Sequence, residues 1–315
     1  MFREACIFSG NANPILSQEI ATVLRSPLSK IRVTSFSDGE TSCEIQENVR
    51  GVDAFIIQPT CTPVNQNFME LLIIADALRR ASARRITAVV PYYGYSRQDR
   101  KGTTRSPITA KLCADLMVCS GINRVLGVDL HAGQIQGFFN IPFNHISSMK
   151  VMLESKYLKG LLNTDTVVVS PDSGGVKRAR VWASRLSASL AIIDKRRPQA
   201  NVCEVMQIIG EVDGRDCIIV DDMIDTAGTL CCSAGALKRA GARSVVACAT
   251  HAVLSGPAIA RIVDSPLSAV VVADTIPVSM AARDSGKIQV VPIAPLVADA
   301  INQIHTNGSI SSLFA

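Results

Sequence analysis

Short apolar runs alternate with amphipathic stretches along the whole chain, and this pattern predicts the fold class. The runs are rich in Val, Ile and Ala, which is typical of buried strands. The stretches between them have the spacing of helices that pack on a sheet. Strands that alternate with helices favour parallel sheets, so we predict an α/β fold. The clearest predicted strands lie at residues 5–8, 55–57, 86–90, 125–128, 167–169, 191–193, 217–220 and 244–249.

An internal repeat divides this pattern into two halves. The octet Ala77–Arg84, with the sequence ALRRASAR, recurs half a chain later as Ala236–Arg243, with the sequence ALKRAGAR. Each copy follows a predicted strand, a loop and a helix, and each precedes another strand. Matching flanks of this kind indicate two homologous α/β halves. We therefore predict a first domain at 1–148 and a second at 149–304, with the tail 305–315 packed on the first.

The most informative turn follows the predicted strand at 217–220. It begins with the adjacent carboxylates Asp221 and Asp222 and continues through the small-residue segment Asp225–Thr229 into a predicted helix. Small residues let backbone N–H groups approach an anion, and a helix N-terminus favours negative charge there. The two carboxylates can accept hydrogen bonds from neighbouring sugar hydroxyls. A phosphorylated ribose fits both features, although many α/β proteins carry a similar turn without such a ligand.

Other ligand-binding motifs can be excluded at this turn and elsewhere. An EF-hand fails because Met223 occupies its third position and no Glu stands at its twelfth. A Walker loop is excluded because the only Gly-Lys pair, Gly286-Lys287, is followed by Ile288. No G-x-G-x-x-G segment occurs in the sequence. In the first half, Pro59–Pro63 stands where the second half has its acidic pair, so we predict that only the second half binds the phosphosugar.

Composition narrows the class of protein further. The 315 residues are 48% hydrophobic and 19% charged, with a net charge of +5, which describes a globular chain. No apolar run is long enough to span a membrane, and the N-terminus has no signal-peptide layout. The ten cysteines are scattered without a C-x-x-C pair, which favours reduced thiols. We predict a cytoplasmic protein that binds small polyanions such as nucleotides, with no nucleic-acid or membrane partner.

Three further segments follow predicted strands. Ser170–Gly175 ends in a Gly pair that can turn N–H groups toward an anion, and Asp172 could bind Mg²⁺ there; a helix cap is the alternative. His131 follows the strand at 125–128, where a lone histidine is more often structural and imidazole is an unusual Mg²⁺ ligand. Asp194–Pro198 places three cations in a row, which suits either a solvated turn or a mobile cover that neutralises a phosphoryl group.

Two segments of the first half suit a nucleotide. Phe36–Glu40, with the sequence FSDGE, offers an aromatic face and acceptors for a base and its ribose, although a β-turn also explains it. Tyr95–Lys101 adds cations after the strand that leads into Val90-Pro91. Neither segment identifies a ligand by itself.

Together these motifs resemble class I ribose-phosphate pyrophosphokinases, essentially from end to end. Many matches in the same order are far more specific than any one loop. The resemblance implies two phosphoribosyltransferase-type (Rossmann-like) domains with mainly parallel sheets. It also implies transfer of the diphosphoryl group of Mg-ATP to the C1 hydroxyl of ribose 5-phosphate, giving phosphoribosyl diphosphate and AMP. The matching segments lie at 36–40, 48–51, 95–100, 107–111, 129–132, 134–139, 170–175, 194–198 and 221–229.

The resemblance implies roles for individual residues of this sequence. Ribose 5-phosphate would be held by Asp221, Asp222 and the loop residues Asp225, Thr226, Ala227, Gly228 and Thr229. Mg²⁺ would lie at His131 and Asp172. ATP would contact Arg97 and Gln98, together with Phe36, Asp38 and Glu40 of a neighbouring subunit. Lys195 and Arg197 would lie on a flexible catalytic loop, with Arg197 also close to the sugar phosphate.

Assembly and regulation are implied by the same resemblance. Family members are homohexamers that require Mg²⁺, are activated by inorganic phosphate and are inhibited by ADP. Two positions depart from common family patterns: Asn48 stands where some members carry serine, and Ala227 replaces the glycine of many family loops. The regulatory phosphate site would comprise Arg50, Gln136, Ser309, Ser311 and Phe314.

Two other functions share part of this pattern. A phosphoribosyltransferase that consumes phosphoribosyl diphosphate would share the 221–229 turn, but it would not account for the duplicated half or for Arg97-Gln98. A catalytically silent regulatory homologue would carry lesions or insertions in the catalytic loop. The segment Asp194–Pro198 is intact and uninterrupted, which favours the active synthase.

Overall fold

The computed structural model describes residues 5–160, 162–196 and 205–310. These residues form a mixed α/β structure in two compact units. The first unit holds the described residues up to Ser148, together with Thr275–Pro277 and those from Pro292 onward. The second unit holds the described residues of Met149–Asp274 and Val278–Val291.

The first unit is built on a five-stranded parallel sheet with the order β1-β4-β5-β6-β7. Numbered along the chain, these strands are β1 Ala5–Ser9, β4 Asp53–Ile57, β5 Arg85–Val90, β6 Arg124–Val128 and β7 Phe143–Ile146. An antiparallel hairpin consists of β2 Ile31–Ser35 and β3 Thr41–Ile45. The helices are α1 Pro14–Leu24, α2 Val64–Arg80, α3 Thr109–Cys119 and α10 Ala294–His305, with a 3-10 helix at Gly133–Phe138.

The second unit is built on a seven-stranded sheet with the order β10-β9-β8-β11-β12-β13-β14. Only β10 runs antiparallel to its neighbour in the described part of this sheet. The strands are β8 Thr166–Ser170, β9 Ser189–Arg196, β10 Val205–Ile209, β11 Asp216–Ile224, β12 Ser244–Ala252, β13 Ala269–Ala273 and β14 Ile288–Val291. The helices are α4 Met149–Glu154, α5 Lys156–Lys159, α6 Val176–Leu186, α7 Gly228–Arg239, α8 Ala258–Asp264 and α9 Met280–Arg283.

Both parallel sheets lie in the cores of their units. Every residue of β4 and every residue of β8 is buried, as expected for strands covered by helices on both faces. Leu71, Ile74 and Leu78 on one face of α2 are fully buried against the first sheet. The predicted α/β class with mainly parallel sheets is confirmed, because apolar runs buried on both faces select this architecture.

The two sheets repeat one strand order. The order β1-β4-β5-β6-β7 of the first unit corresponds to β8-β11-β12-β13-β14 of the second. The repeated octets end α2 and α7 and lead into β5 and β12. At the turn, Ser82 and Gly241 occupy the same octet position, and both have positive φ angles, 67° and 89°. The sequence repeat is therefore also a structural repeat.

Strand register defines which residues of the two units correspond. Asp53 lies opposite Arg85 on β5, and Asp216 lies opposite Ser244 on β12. Because the octets align Arg85 with Ser244, Asp53 corresponds to Asp216. Counting along the strands, Gln58 then corresponds to Asp221. The acidic pair thus corresponds to Gln58-Pro59, one residue earlier than the segment 59–63 that the sequence comparison placed there.

The amino-terminal edge of the second sheet is tied by Asp216. Its carboxylate forms an ion pair with Arg243 and accepts hydrogen bonds from Ser244 Oγ at 2.7 Å and Asn163 Nδ2 at 2.7 Å. The Arg243 guanidinium holds the pKa of Asp216 well below its ordinary value. In the first unit, the corresponding Asp53 pairs with Arg85. This edge therefore holds strands together in both units.

Two further features concern the helices and the cysteines. Among the helices that the structure describes, none is long and apolar enough to cross a membrane. The described cysteines are free thiols. Burial raises the pKa of the Cys217 thiol to about 11, which keeps this thiol protonated and unreactive.

Candidate functional site

The candidate site lies at the carboxyl edge of the second sheet, where the chain changes direction across the sheet. From β8 the chain passes through α6 to β9 on one side, whereas from β11 it passes through α7 to β12 on the other. Such a switch point leaves a crevice beyond the strand ends, where open α/β sheets bind ligands. Because β8 and β11 are parallel neighbours, the predicted turns Ser170–Gly175 and Asp221–Thr229 both open onto this crevice.

The acidic pair belongs to the end of β11 and not to the loop after it. The sequence placed the strand at 217–220, but β11 continues to Ile224 and remains paired with β12, Asp221 opposite Ala249. Consecutive strand residues point to opposite faces, and the two carboxylates differ in exposure accordingly. The Asp221 side chain is 33% exposed, whereas that of Asp222 is 4% exposed.

Arg178 holds both carboxylates. Its Nη1 lies 3.3 Å from Asp221 Oδ1 and 3.1 Å from Asp222 Oδ1. Arg178 is in the first turn of α6, so the turn after β8 supplies a cation to the acids at the end of β11. The sequence analysis missed this residue. The available signal was its position three residues after the Gly174-Gly175 pair. A helix that begins at that turn places this residue in its first turn, close to the ends of β8 and β11.

Burial perturbs the protonation of this pair. Desolvation, followed by repulsion from the Asp222 carboxylate, raises the pKa of Asp221 above its ordinary value. The Arg178 guanidinium opposes this rise but does not cancel it. The folded chain therefore keeps negative charge at this edge at an energetic cost, which is typical of sites built for ligands.

Asp221→Asn is expected to stabilise the folded chain at neutral pH. Because the folded pKa of Asp221 is raised, the ionised form costs stability. That cost grows as the pH rises from the unfolded pKa through the folded one. The gain in melting temperature should be absent at about pH 4 and reach about 2 °C or more near neutral pH. Calorimetry of both proteins across this range measures it, and a difference that does not change with pH contradicts the expectation.

The small-residue loop opens α7. Ala227 precedes Gly228, the first residue of the helix, and adopts a φ of 58°. Glycine adopts this left-handed conformation more readily, but the single methyl group of alanine is accommodated. Arg261 Nη1 donates to the Thr226 carbonyl at 3.0 Å and ties the loop to α8. Since first-turn amides of a helix have no intrahelical acceptor, this end of α7 can receive an anion.

Asp172 lies in the neighbouring turn. Its Oδ1 accepts a hydrogen bond from the Gly175 N–H at 2.8 Å, so part of the carboxylate caps the turn into α6. The side chain is otherwise exposed, which leaves Oδ2 facing solvent. Among residues 5–160, 162–196 and 205–310, no group of three or more His, Cys, Asp or Glu side chains is gathered for a metal. Asp172 fits a cation that brings most of its own ligands.

The cationic segment begins within a strand. The sequence predicted that the chain leaves the strand after Ile193, but β9 continues to Arg196, and Lys195 lies opposite Met206 of β10. Hydrogen bonds to the antiparallel edge strand β10 satisfy the backbone of this segment. The charge pattern alone indicated a segment exposed to solvent. Arg197 falls outside the described residues.

The residues predicted for ATP lie in the first unit. Phe36, Asp38 and Glu40 surround the exposed turn between β2 and β3, where Asp38 Oδ1 accepts from the Glu40 N–H at 3.1 Å. Phe36 is 59% exposed, an unusual position for a large apolar ring. Arg97 and Gln98 are exposed in the loop after β5, and Thr109 Oγ1 donates to Gln98 Oε1. His131 is exposed shortly after β6.

The residues predicted for regulation are spread over the first unit. Arg50 is exposed, and its N–H donates to Asn48 Oδ1 at 3.1 Å. Gln136 lines a polar cavity of about 490 Å³ together with Asn144, His145, Asn307 and Gly308, so Ser309 directly follows one of the lining residues. Ser311 and Phe314 fall outside the described residues.

Known proteins match both halves of the chain. The N-terminal domain of ribose phosphate pyrophosphokinase matches residues 5–121, and the phosphoribosyl synthetase-associated domain matches residues 198–315. The ribose-phosphate pyrophosphokinase of Clostridium perfringens is 54% identical over 309 residues, covering 98% of this chain and 97% of that protein. Its counterpart from Caldanaerobacter subterraneus is 56% identical over 308 residues, covering 98% and 97%.

A solved structure matches the whole fold. The crystal structure of phosphoribosylpyrophosphate synthetase from Mycobacterium smegmatis superimposes with a TM-score of 0.92 at 40% identity, covering 97% of this chain and 100% of that one.

Paired carboxylates and a helix N-terminus at a switch point define the broad class of α/β enzymes that act on phosphorylated sugars and nucleotides. The near full-length identity narrows that class. The chain belongs to the ribose-phosphate pyrophosphokinase family. This membership confirms the resemblance seen in the sequence and the expectation of an enzyme that makes phosphoribosyl diphosphate.

Proposed function

We propose that this chain transfers the diphosphoryl group of Mg-ATP to ribose 5-phosphate. The C1 hydroxyl of the sugar attacks the β-phosphorus of ATP, a new C1–O–P linkage forms, and AMP leaves with the bond to the α-phosphate broken. The observation that carries the proposal is the convergence of the two turns at the switch point. The Asp221-Asp222 pair, with its Arg178 bridge, stands beside the N-terminus of α7.

The second unit is the proposed site of ribose 5-phosphate. The amides at the start of α7, within Asp225, Thr226, Ala227, Gly228 and Thr229, would bind the 5-phosphate, because a helix N-terminus concentrates unpaired N–H donors. Asp221 and Asp222 would accept hydrogen bonds from the ribose hydroxyls. Arg178 lies close to both carboxylates and weakens their mutual repulsion, and so would present their free oxygens in fixed positions.

The first unit is the proposed site of ATP. Arg97 and Gln98 would contact the nucleotide, and Phe36, Asp38 and Glu40 of a neighbouring copy would complete the site. The exposed Phe36 ring supports this arrangement, because an aromatic face can stack on a base. Leu112 and Leu116 leave apolar surface on one face of α3, 54% and 40% exposed. Neighbouring apolar side chains of this kind support the proposed homo-oligomer, and its proposed size, a hexamer, comes from the family resemblance alone.

Mg²⁺ is the proposed cofactor. Asp172 fits it through its exposed carboxylate oxygen, and His131 would lie nearby in the ATP complex. Mg²⁺ in phosphoryl-transfer sites is held by one or two carboxylates together with substrate phosphates, so a cage made only of protein groups is not required. When bound, the ion would neutralise phosphate charge during transfer.

Charge neutralisation and alignment are the proposed sources of catalysis, since attack at phosphorus needs no covalent protein group. Lys195 and Arg197 would supply cations to the transferring group, with Arg197 also reaching the sugar phosphate. A cationic cover of this kind would exclude water, which would otherwise divert ATP to hydrolysis. The proposed location is the cytoplasm, where thiols such as those of the described cysteines stay reduced.

Regulation by small anions is part of the proposal. Inorganic phosphate would activate and ADP would inhibit through Arg50, Gln136, Ser309, Ser311 and Phe314. The polar cavity beside Gln136 supports an anion-responsive region in the first unit. Asn48, which accepts the Arg50 N–H through its side chain, keeps the turn before Arg50 in one conformation.

The deciding experiment is AMP formation by the full chain with Mg-ATP and ribose 5-phosphate, with and without inorganic phosphate. AMP should appear only when ribose 5-phosphate is present, in equal amount with a phosphoribosyl diphosphate product. Release of ADP in place of AMP would indicate hydrolysis or single-phosphoryl transfer. Absence of AMP under all conditions would contradict the proposal and would favour a silent regulatory homologue.

A further inference from the structure

The strand ends of the first unit include positions that correspond to the candidate site of the second. Where the second unit has acidic side chains, these positions of the first unit have side-chain amides. Register places Ala5 opposite Asp53 and Thr166 opposite Asp216, so Ala5 corresponds to Thr166. Counting onward, Asn11 corresponds to Asp172, as Gln58 corresponds to Asp221. Two of the three acids of the candidate site, Asp172 and Asp221, are therefore replaced in the first unit by side-chain amides, one of the same shape and one a methylene longer.

In the first unit, a side chain of the helix that follows β4 supplies a carboxylate instead. The aligned octets continue back through α2 and α7 without a gap, so Glu70 corresponds to Thr229 in the phosphate-type loop. Glu70 is 3% exposed. The first unit thus carries a buried anion at the helix position where the second unit has a small hydroxyl residue exposed to solvent.

The two amides and the loop backbone converge on this carboxylate. Glu70 Oε1 accepts from the Asn11 N–H at 2.6 Å and from Gln58 Nε2 at 2.8 Å, and Oε2 accepts from Asn11 Nδ2 at 2.9 Å. Gln58 is fully buried, and its Oε1 accepts from the Ala12 N–H at 3.1 Å. The donors around Glu70 come from the ends of β1 and β4. These strands correspond to β8 and β11, whose ends form the candidate site of the second unit.

The turn after β1 packs closely against Gln58 and Glu70. A Cβ built on Gly10 would lie 2.2 Å from Gln58 Oε1 and 2.9 Å from Glu70 Oε1. Glycine is therefore required at position 10 for the amide and the carboxylate to approach the turn this closely. The arrangement is a filled binding site and not an open crevice.

We propose that the first unit retains a self-occupied anion site, in which the Glu70 carboxylate takes the place of a ligand. Removing that side chain should open a site for a small carboxylate such as formate. The sheet register and the donors around Glu70 carry this assignment whichever ligand the second unit takes.

The test is thermal unfolding of the full chain carrying Glu70→Ala, with formate as the probe. The variant should melt about 3–5 °C below the parent, because the buried Gln58 Nε2 and the two donors of Asn11 lose the Glu70 acceptor. About 0.1 M formate should recover about 2 °C or more relative to the same concentration of chloride. Glu19→Ala, which removes an exposed carboxylate from α1, should melt like the parent. Neither the parent nor this control should respond to formate. A melting temperature equal to that of the parent, or identical responses to formate and chloride, overturns the proposal.

Glu70→Gln keeps the test decisive if Glu70→Ala does not fold. A glutamine fills the same volume but offers one acceptor oxygen and turns its NH₂ toward another donor. It should therefore melt below the parent and show no response to formate, because the site remains filled. A glutamine variant as stable as the parent overturns the proposal. Stabilisation of either variant by ribose 5-phosphate should match that of the parent, which separates this result from failure of the proposed substrate site.

Discussion

Lys195→Ala is expected to lower turnover by about 100- to 1,000-fold while leaving ribose 5-phosphate binding within about threefold of the parent value. The proposed role of Lys195 is to neutralise charge on the diphosphoryl group, and this charge develops only during transfer from ATP. Steady-state AMP formation measures turnover, and calorimetric titration with ribose 5-phosphate measures binding. Loss of both to the same degree would instead indicate a misfolded β9–β10 edge.

Lys159→Ala is the matched control for this result. It removes an exposed lysine from the end of α5, in the same unit but outside the cationic segment. Its turnover should equal that of the parent. If Lys195→Ala also retains near-normal turnover, the assignment of the 194–198 segment to catalysis is wrong.

Arg178→Ala is expected to reduce kcat/KM for ribose 5-phosphate by about 100-fold, mainly through KM. Without the guanidinium, the Asp221 and Asp222 carboxylates repel each other, and the buried Asp222 loses its bridging cation. The variant should also bind ribose 5-phosphate more strongly as the pH falls toward the raised pKa of Asp221, because protonation then relieves the repulsion. The parent should lack that gain.

Arg180→Ala provides the control on the same helix. Arg180 is exposed two residues further along α6, so its removal changes the net charge by the same amount without touching the acidic pair. Its kinetic constants should match those of the parent. Equal losses in both variants would indicate general electrostatic attraction of the substrate in place of a specific bridge.

The fold was largely predictable because its strands are uniform and apolar. The run Val167–Val169 has no competing interpretation, and its burial in β8 is complete. Repetition added long-range information, since the octet at Ala77–Arg84 and its copy located equivalent helix ends and strands in two units. The small-residue loop that opens a helix was also predictable, and α7 begins at Gly228; the phosphate assigned to this loop stays a prediction.

Contacts between distant elements escaped prediction. Arg178 reaches Asp221 from another helix, and nothing local to either residue signals that ion pair. Strand ends were placed too early at Val220 and Ile193 because the strands continue into polar residues, where the apolar pattern stops. Glu70 was missed for a related reason: a glutamate in an amphipathic helix ordinarily faces solvent, and only the fold shows that Glu70 is buried beside two amide donors.

Strand β11 carries Asp216 at its beginning and Asp221 toward its end, and the two carboxylates respond to acid in opposite ways. The pKa of Asp216 is lowered, so its stabilising effect persists until the solution becomes strongly acidic. The pKa of Asp221 is raised, so that carboxylate takes up its proton first, and its uptake relieves a cost in the folded chain. Mild acidification therefore neutralises Asp221 first, while the ion pair at the beginning of the strand remains intact. If Asp221 binds the sugar as proposed, activity lost in mild acid should return on neutralisation without refolding.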